Sequence, residues 1–159
     1  MNLNLACGDT RLGDALGVDI YDTPTTDLRA DIMHLPFGNQ TIDSIQCHQA
    51  VEHFFPDETQ PLFEEWARVL KSNGTIYITT PDFRYVSQQY LNHGMALQLV
   101  RAYVCGTTDL NTFTKDQPES YHRTLWDQDT LMSELKIWNF ERFNVWNEEW
   151  NLHLTAHRR

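Results

Sequence analysis

The sequence has no apolar run approaching the ~20 residues of a membrane span, so no membrane-spanning helix is expected within its 159 residues. It has no basic amino-terminal region leading into an apolar stretch, so no secretory leader is expected and a cytoplasmic location is. Cysteine is scarce: Cys7, Cys47 and Cys105 form no C-x-x-C pair. An odd, scattered set excludes a disulfide framework and a zinc knuckle, and predicts reduced thiols. Positive charge is also scarce, with 12 Lys and Arg against 22 Asp and Glu and a formal net charge of -10. Such a surface repels phosphate backbones, and no nucleic-acid partner is expected. Internal repeats, low-complexity tracts and linkers are missing as well. What is left is 41% hydrophobic, a normal globular value, at a length that buries about two-thirds of its unfolded surface. One domain over residues 1–159 is expected.

Strand and helix signals alternate along that domain, which predicts α/β architecture. Strands are expected over 3–6, 16–20, 27–30, 44–47 and 75–80. A helix is expected over 58–71, with Asp57 as its cap and Gln60 completing a capping-box spacing. Leu62, Phe63, Trp66, Val69 and Leu70 recur on its buried face, and Asn73-Gly74 is expected to stop it. Helices follow over 84–92 and 95–104. Residues 106–123 form a long polar stretch, of the kind that often serves as a lid. Asp127 is expected to cap a helix reaching Leu135. Strands over 140–146 and 151–157 flank a tight turn at 147–149, which forces an antiparallel hairpin. The fold expected is a doubly wound, seven-stranded, mostly parallel sheet with one antiparallel strand near the edge and helices on both faces.

The first twenty residues carry the chemistry. Strand one runs into the small-residue turn Ala6-Cys7-Gly8-Asp9, where a ligand can lie against bare backbone. The second strand ends on Asp19, whose carboxylate can accept two hydrogen bonds from a ribose diol. Together they describe a nucleoside-cofactor pocket at the carboxyl edge of a parallel sheet. A dinucleotide fits less well, because G-x-G-x-x-G is absent and Asp19 follows the turn far sooner than the ~20 residues expected there.

Several segments, taken in order, resemble the class I S-adenosylmethionine-dependent methyltransferases. They are Leu3-Asn4-Leu5-Ala6-Cys7-Gly8, Gly17-Val18-Asp19-Ile20, Asp31-Ile32-Met33-His34-Leu35-Pro36-Phe37, Ala50-Val51-Glu52-His53-Phe54, and residues 65–74 running on to Pro81-Asp82-Phe83. The resemblance implies a Rossmann-like fold, with S-adenosyl-L-methionine as cofactor and S-adenosyl-L-homocysteine as product. It implies that Ala6, Cys7 and Gly8 meet the methionine part of the cofactor. Asp19 and Ile20 sit at the ribose, Asp31 accepts from the adenine amine, and the Ile32 N–H meets a ring nitrogen. His48 and Gln49 flank the sulfonium end. Two departures stand out. Ala6 occupies a position that is usually glycine, and the sequence opens almost at strand one. The second predicts a site that is open, or closed by a partner subunit or by residues 106–123.

Methyl transfer is an in-line displacement that rests mainly on positioning, and a base is needed only where the acceptor must lose a proton. His48, Asp82 and His122 are the candidate catalytic residues, with Glu52 and Tyr121 behind them. Arg84 and Arg123 are candidates for pairing with an anionic acceptor. His48, Glu52 and His53 are spaced one residue longer than an inverted zincin motif and show no third ligand, so no metal is expected. The function expected is methyl transfer to a small-molecule or glycan acceptor, and a homodimer is plausible on this reading. The alternatives are a non-catalytic cofactor-binding module acting through a partner protein and an unrelated nucleotide-binding enzyme on a similar fold.

Overall fold

The computed structural model describes residues 1–106 and 121–159. Its centre is a seven-stranded sheet in the order β3-β2-β1-β4-β5-β7-β6. The strands are β1 (Asn2–Leu5), β2 (Leu16–Asp19), β3 (Leu28–Arg29), β4 (Ile42–His48), β5 (Leu70–Pro81), β6 (Phe140–Glu148) and β7 (Asn151–Arg158). β1 pairs in parallel with β2 and β4, and β4 with β5, while β7 runs antiparallel to both β5 and β6. The single antiparallel strand expected near the edge is therefore β7. The order reverses at β1 and β4, the switch point outside which α/β sheets bind ligands.

Helix α1 (Pro56–Val69) links β4 to β5. It starts two residues earlier than the 58–71 expectation, because Pro56 supplies a preset first-position φ. Asp57 is consequently inside the first turn rather than the cap, and the Phe55 N–H donates to the Glu58 carboxylate at 2.8 Å. The helix also ends earlier, with Leu70 turning extended to enter β5. Asn73 does adopt a left-handed φ of 63°, but within the irregular start of that strand.

Two more helices, α2 (Phe83–His93) and α3 (Leu97–Cys105), follow β5. The Asp82 side chain caps α2 by accepting from the Arg84 and Tyr85 N–H groups, and Gly94 ends it in a left-handed turn. Trp150 meets Tyr85 edge-on and stacks with Tyr103. Helix α4 (Gln128–Ile137) is capped by Asp127, as expected. The hairpin turn falls at Glu149-Trp150, starting two residues later than expected, and Glu149 takes the left-handed position with φ 53°. All three cysteines are unpaired.

Register sorts the sheet into two faces, because residues partnered across strands share a side. Leu3, Leu5, Val18, Ile45, Cys47, Ile76, Ile78, Leu152, Leu154 and Ala156 form the apolar face, all buried. Leu62, Phe63 and Trp66 of α1 and Leu131 and Leu135 of α4 join the same core. The other face carries Ser44, Gln46, His48, Thr75, Tyr77, His153 and Thr155, all only half-buried. Helices were expected on both faces. Among the described residues this face stays open across β4, β5 and β7, with Tyr77, His153 and Trp146 clustered on it.

Candidate functional site

The carboxyl ends of β1, β2 and β4 surround a cavity of about 450 Å³, within the ~300–1,000 Å³ range of small-ligand sites. Its wall includes Ala6, Asp19, Ile20, Asp31, Ile32 and Gln49, six of the residues expected to hold the cofactor. Cys7, Gly8 and His48 are not part of that wall. Cys7 is buried against the Thr25 and Thr26 hydroxyls. His48 lies on the open sheet face, edge-on to the Tyr77 ring, with Nδ1 3.3 Å from the Thr79 hydroxyl. Burial and the neighbouring His153 hold its imidazole below the usual histidine range.

The backbone around the cavity is built by side chains. Asp19 is buried, and its two oxygens accept from the N–H groups of Gly8 and Tyr21, both at 2.9 Å. One carboxylate thus ties the turn after β1 to the turn after β2. Gly8 adopts φ 49°, and its carbonyl accepts from the Thr23 and Thr25 hydroxyls. Gly17 leaves the space that the second turn occupies: a Cβ there would sit 2.1 Å from the Thr25 carbonyl oxygen.

Two non-glycine residues of the wall, Ala6 and Gln49, hold left-handed backbone, with φ 52° and 51°. They follow adjacent strands, so two strained backbone positions line the same cavity. Asp31 accepts from the Met33 N–H at 2.8 Å, which folds the next turn. Helix α1 holds that turn from below. The Trp66 indole donates to the Ile32 carbonyl, Arg68 donates to the carbonyls of Leu35 and Phe37, and Glu65 accepts from the Leu35 N–H.

Sequence reasoning left several wall residues out of the cofactor set, among them Tyr21, Met33, Ala50 and Phe54. For Tyr21, Met33 and Ala50 the signal is position alone, since each directly follows a residue that was read as a ligand. His53 and Arg123 also line the cavity. The Arg123 guanidinium lies 4.5 Å over the Phe55 ring, and the Arg123 backbone N–H donates to the Glu52 carbonyl. Arg84, by contrast, pairs with Asp127 and Asp129 away from the cavity.

Glu52 and His53 belong to a 3-10 turn, Val51–His53, between β4 and α1. Segment 121–124 folds over this turn, since Arg123 and Thr124 both donate backbone N–H to the Glu52 carbonyl. That brings His122 against Glu52, with Nε2 3.9 Å from Oε1, and against His53, with ring centroids 5.1 Å apart. Glu52 is 1% exposed, and burial pushes its carboxyl up to about 7, opposed by bonds to its own backbone and the Thr80 hydroxyl. Burial first and His53 second bring His122 down to about 4. Burial likewise lowers His53. Asp82 is differently placed: besides capping α2, its carboxylate accepts from the Asn147 amide at 2.6 Å. The remainder of the 106–123 stretch expected to act as a lid lies largely outside the described residues.

Residues 6–78 match the family model of a methyltransferase domain. No curated protein sequence matches the chain. Its fold is similar to that of a SAM-dependent methyltransferase from Methanosarcina mazei, at 13% identity, covering 99% of this chain and 91% of that one, with a TM-score of 0.68. A second similar structure is the 1,6-didemethyltoxoflavin-N1-methyltransferase of Burkholderia thailandensis, with bound 1,6-didemethyltoxoflavin and S-adenosylhomocysteine. It is 11% identical, with 99% and 70% of the two chains covered and a TM-score of 0.65. A third is a putative methyltransferase of Haloferax volcanii in complex with the Trm112 methyltransferase activator, at 14% identity, 99% and 81% coverage and a TM-score of 0.59.

Proposed function

We propose that the chain is a class I S-adenosylmethionine-dependent methyltransferase, a reading supported by the methyltransferase-domain match over residues 6–78 and by the similar folds, and that it transfers a methyl group to a small-molecule or glycan acceptor. The observation that carries this reading is the cavity at the switch point, where two carboxylates and the strained Ala6 backbone meet. S-adenosylmethionine, when bound, supplies an activated methyl group on a sulfonium. The residues fit it chemically. Asp19 offers acceptor lone pairs beyond the two bonds it makes, and Asp31 does so at the far wall, beside apolar Ile32. On this reading Asp19 meets the ribose, Asp31 the adenine amine, and Ala6 and Gln49 the amino-acid part.

The chain's own contribution is chiefly positioning, with binding energy spent on orientation rather than on acid–base steps. Where an acceptor must lose a proton, the groups best placed are Glu52, His53 and His122, because His53 reaches the cavity wall. His48 and Asp82 lie further from it, on the open face and under α2. Arg123 on the same wall suits an anionic acceptor.

The test is calorimetric titration with S-adenosylhomocysteine and, separately, NAD, followed by a panel of acceptors. Micromolar binding of the first alone and turnover of any acceptor support the reading; preference for NAD overturns it. A second reading, a cofactor-binding module acting through a partner protein, draws support from the activator-bound neighbour. Binding without turnover until a partner is added would favour that one.

A further inference from the structure

We propose that Glu52, His53 and His122 form a binding site for one divalent transition-metal ion of the zinc class. Each residue offers one ligand atom, and the three atoms lie within 4.8 Å of one another. Distances of this size fit ligands poised around a single ion, since zinc sits ~2.0–2.2 Å from imidazole nitrogen and carboxylate oxygen.

The second observation concerns Glu52 itself. Its Oε1 is buried, has no hydrogen-bond partner, and faces His122 Nε2 across 3.9 Å. A buried polar atom left unpaired is costly, so such an atom calls for an occupant. Beside it lies a small cavity of about 10 Å³ that Glu52 and His122 help to line. It has room for about one water-sized occupant.

The surrounding bonds are those that orient metal ligands. The other oxygen of Glu52 accepts from the Thr80 hydroxyl at 3.0 Å. His122 Nδ1 lies 2.8 Å from the Tyr103 carbonyl and His53 Nδ1 lies 3.2 Å from the Tyr121 carbonyl. A carbonyl accepts only from a protonated Nδ1. That tautomer leaves the Nε2 lone pair of His122 directed at the Glu52 side of the cluster. Carbonyl-anchored imidazoles and a hydroxyl-anchored carboxylate are the outer-shell pattern that fixes ligand geometry. Two imidazoles and one carboxylate suit zinc, cobalt or nickel better than magnesium or calcium, which prefer all-oxygen sites. Three protein ligands also leave a fourth position open, as in catalytic zinc sites. His53 connects the cluster to the large cavity, so an acceptor oxygen entering there is the natural fourth ligand.

The sequence weighed His48, Glu52 and His53 for this role and found no third ligand. The structure turns His48 to the open face and supplies His122 from across the fold. The ion would be a resident of this chain whether or not methyl transfer takes place, so the two readings fail separately.

The experiment is titration of tag-free, chelator-treated full-length protein with Co²⁺, followed by Zn²⁺ competition. The expected result is one equivalent bound, with the intense visible absorption of a four-coordinate nitrogen–oxygen site, bleached by Zn²⁺. His122→Ala should weaken binding at least tenfold, and Glu52→Gln similarly, while His93→Ala on the surface should not change it. Proton NMR of the Co²⁺ form should show shifted signals from two imidazoles. This measurement uses the wild-type protein alone and decides the matter if either cluster variant fails to fold. A spectrum remaining that of the hydrated ion, absence of the two imidazole signals, or unchanged affinity in a folded His122→Ala protein would overturn the proposal. S-adenosylhomocysteine binding, measured on the same samples, reports independently on the cofactor pocket.

Discussion

At the scale of single residues, the cavity is made by a few side chains that hold backbone in costly shapes. Ala6 sits at φ 52°, where a Cβ costs roughly 1–2 kcal/mol relative to glycine. The offsetting gain, a stiffer unfolded chain, is only about 0.4–1 kcal/mol. Ala6→Gly should therefore raise stability by about 0–1.6 kcal/mol in urea unfolding, and S-adenosylhomocysteine affinity should hold or improve. A clear loss of affinity would show that the alanine methyl contacts the ligand. Asp19 was legible in the sequence as a carboxylate at a strand tip, and its bonds to the Gly8 and Tyr21 N–H groups explain why both turns converge there. Asp19→Ala should weaken cofactor binding by about 1–3 kcal/mol through lost charge-assisted bonds, read by calorimetry. Unchanged affinity would remove Asp19 from the ribose role. His48 was harder to place. Gln49 and Ala50, which follow it, line the cavity, but strand alternation puts His48 on the side of Gln46 and Tyr77. A one-residue difference in parity is a difference of face.

Among elements, α1 decides how firmly the far wall of the cavity is held. The apolar spacing of Leu62, Phe63 and Trp66 was enough to find the helix and its buried side. It gave no hint that the polar side clamps residues 32–37, because a clamp depends on partners thirty residues away. Glu65 accepts from Arg68 at two oxygens and from the Leu35 N–H. The Arg68 guanidinium, first, and the Leu35 N–H hold its carboxyl below the ordinary range against the opposing effect of burial. A lowered folded pKa means that the unfolded chain binds more protons in acid. The stabilisation is therefore fully present above the unfolded glutamate value and lost as pH falls through the folded one. Glu65→Gln should cost about 1–2 kcal/mol at neutral pH. The gap to wild type should close as unfolding is measured at progressively lower pH. A gap constant down to pH 3 would show that shape rather than charge matters at this position. Strand β2 makes the converse demand, for space. With the Thr25 oxygen 2.1 Å from where a Cβ would stand, Gly17→Ala must push the second turn away. It should destabilise by about 1–3 kcal/mol and weaken S-adenosylhomocysteine binding as well, because the same turn carries Tyr21 to the cavity wall.

For the whole molecule, the mostly parallel seven-stranded sheet and its antiparallel strand near the edge were readable from alternating signals and one short hairpin. The coverage of the sheet was also written in the sequence, in a pattern easily passed over. Thr75-Ile76-Tyr77-Ile78-Thr79 and Leu152-His153-Leu154-Thr155-Ala156 alternate strictly, whereas strands buried on both faces read as continuous apolar runs. The general expectation of a doubly wound sheet prevailed over that local period. If the sheet is one-sided in solution, its two faces should respond very differently to truncation. Ile76→Ala removes a side chain that is fully buried and should cost about 2–5 kcal/mol in urea unfolding. Gln46→Ala and Thr155→Ala, half-buried on the other face, should each stay within about 1 kcal/mol. Their effect should also be independent of protein concentration. A larger cost that grows with concentration would mean that a second copy of the chain covers the polar and aromatic face, since association stabilises the folded state by mass action. The same series thus distinguishes a monomer with an open sheet from the homodimer that the sequence made plausible, with Tyr77, His153 and Trp146 at the centre of the shared surface.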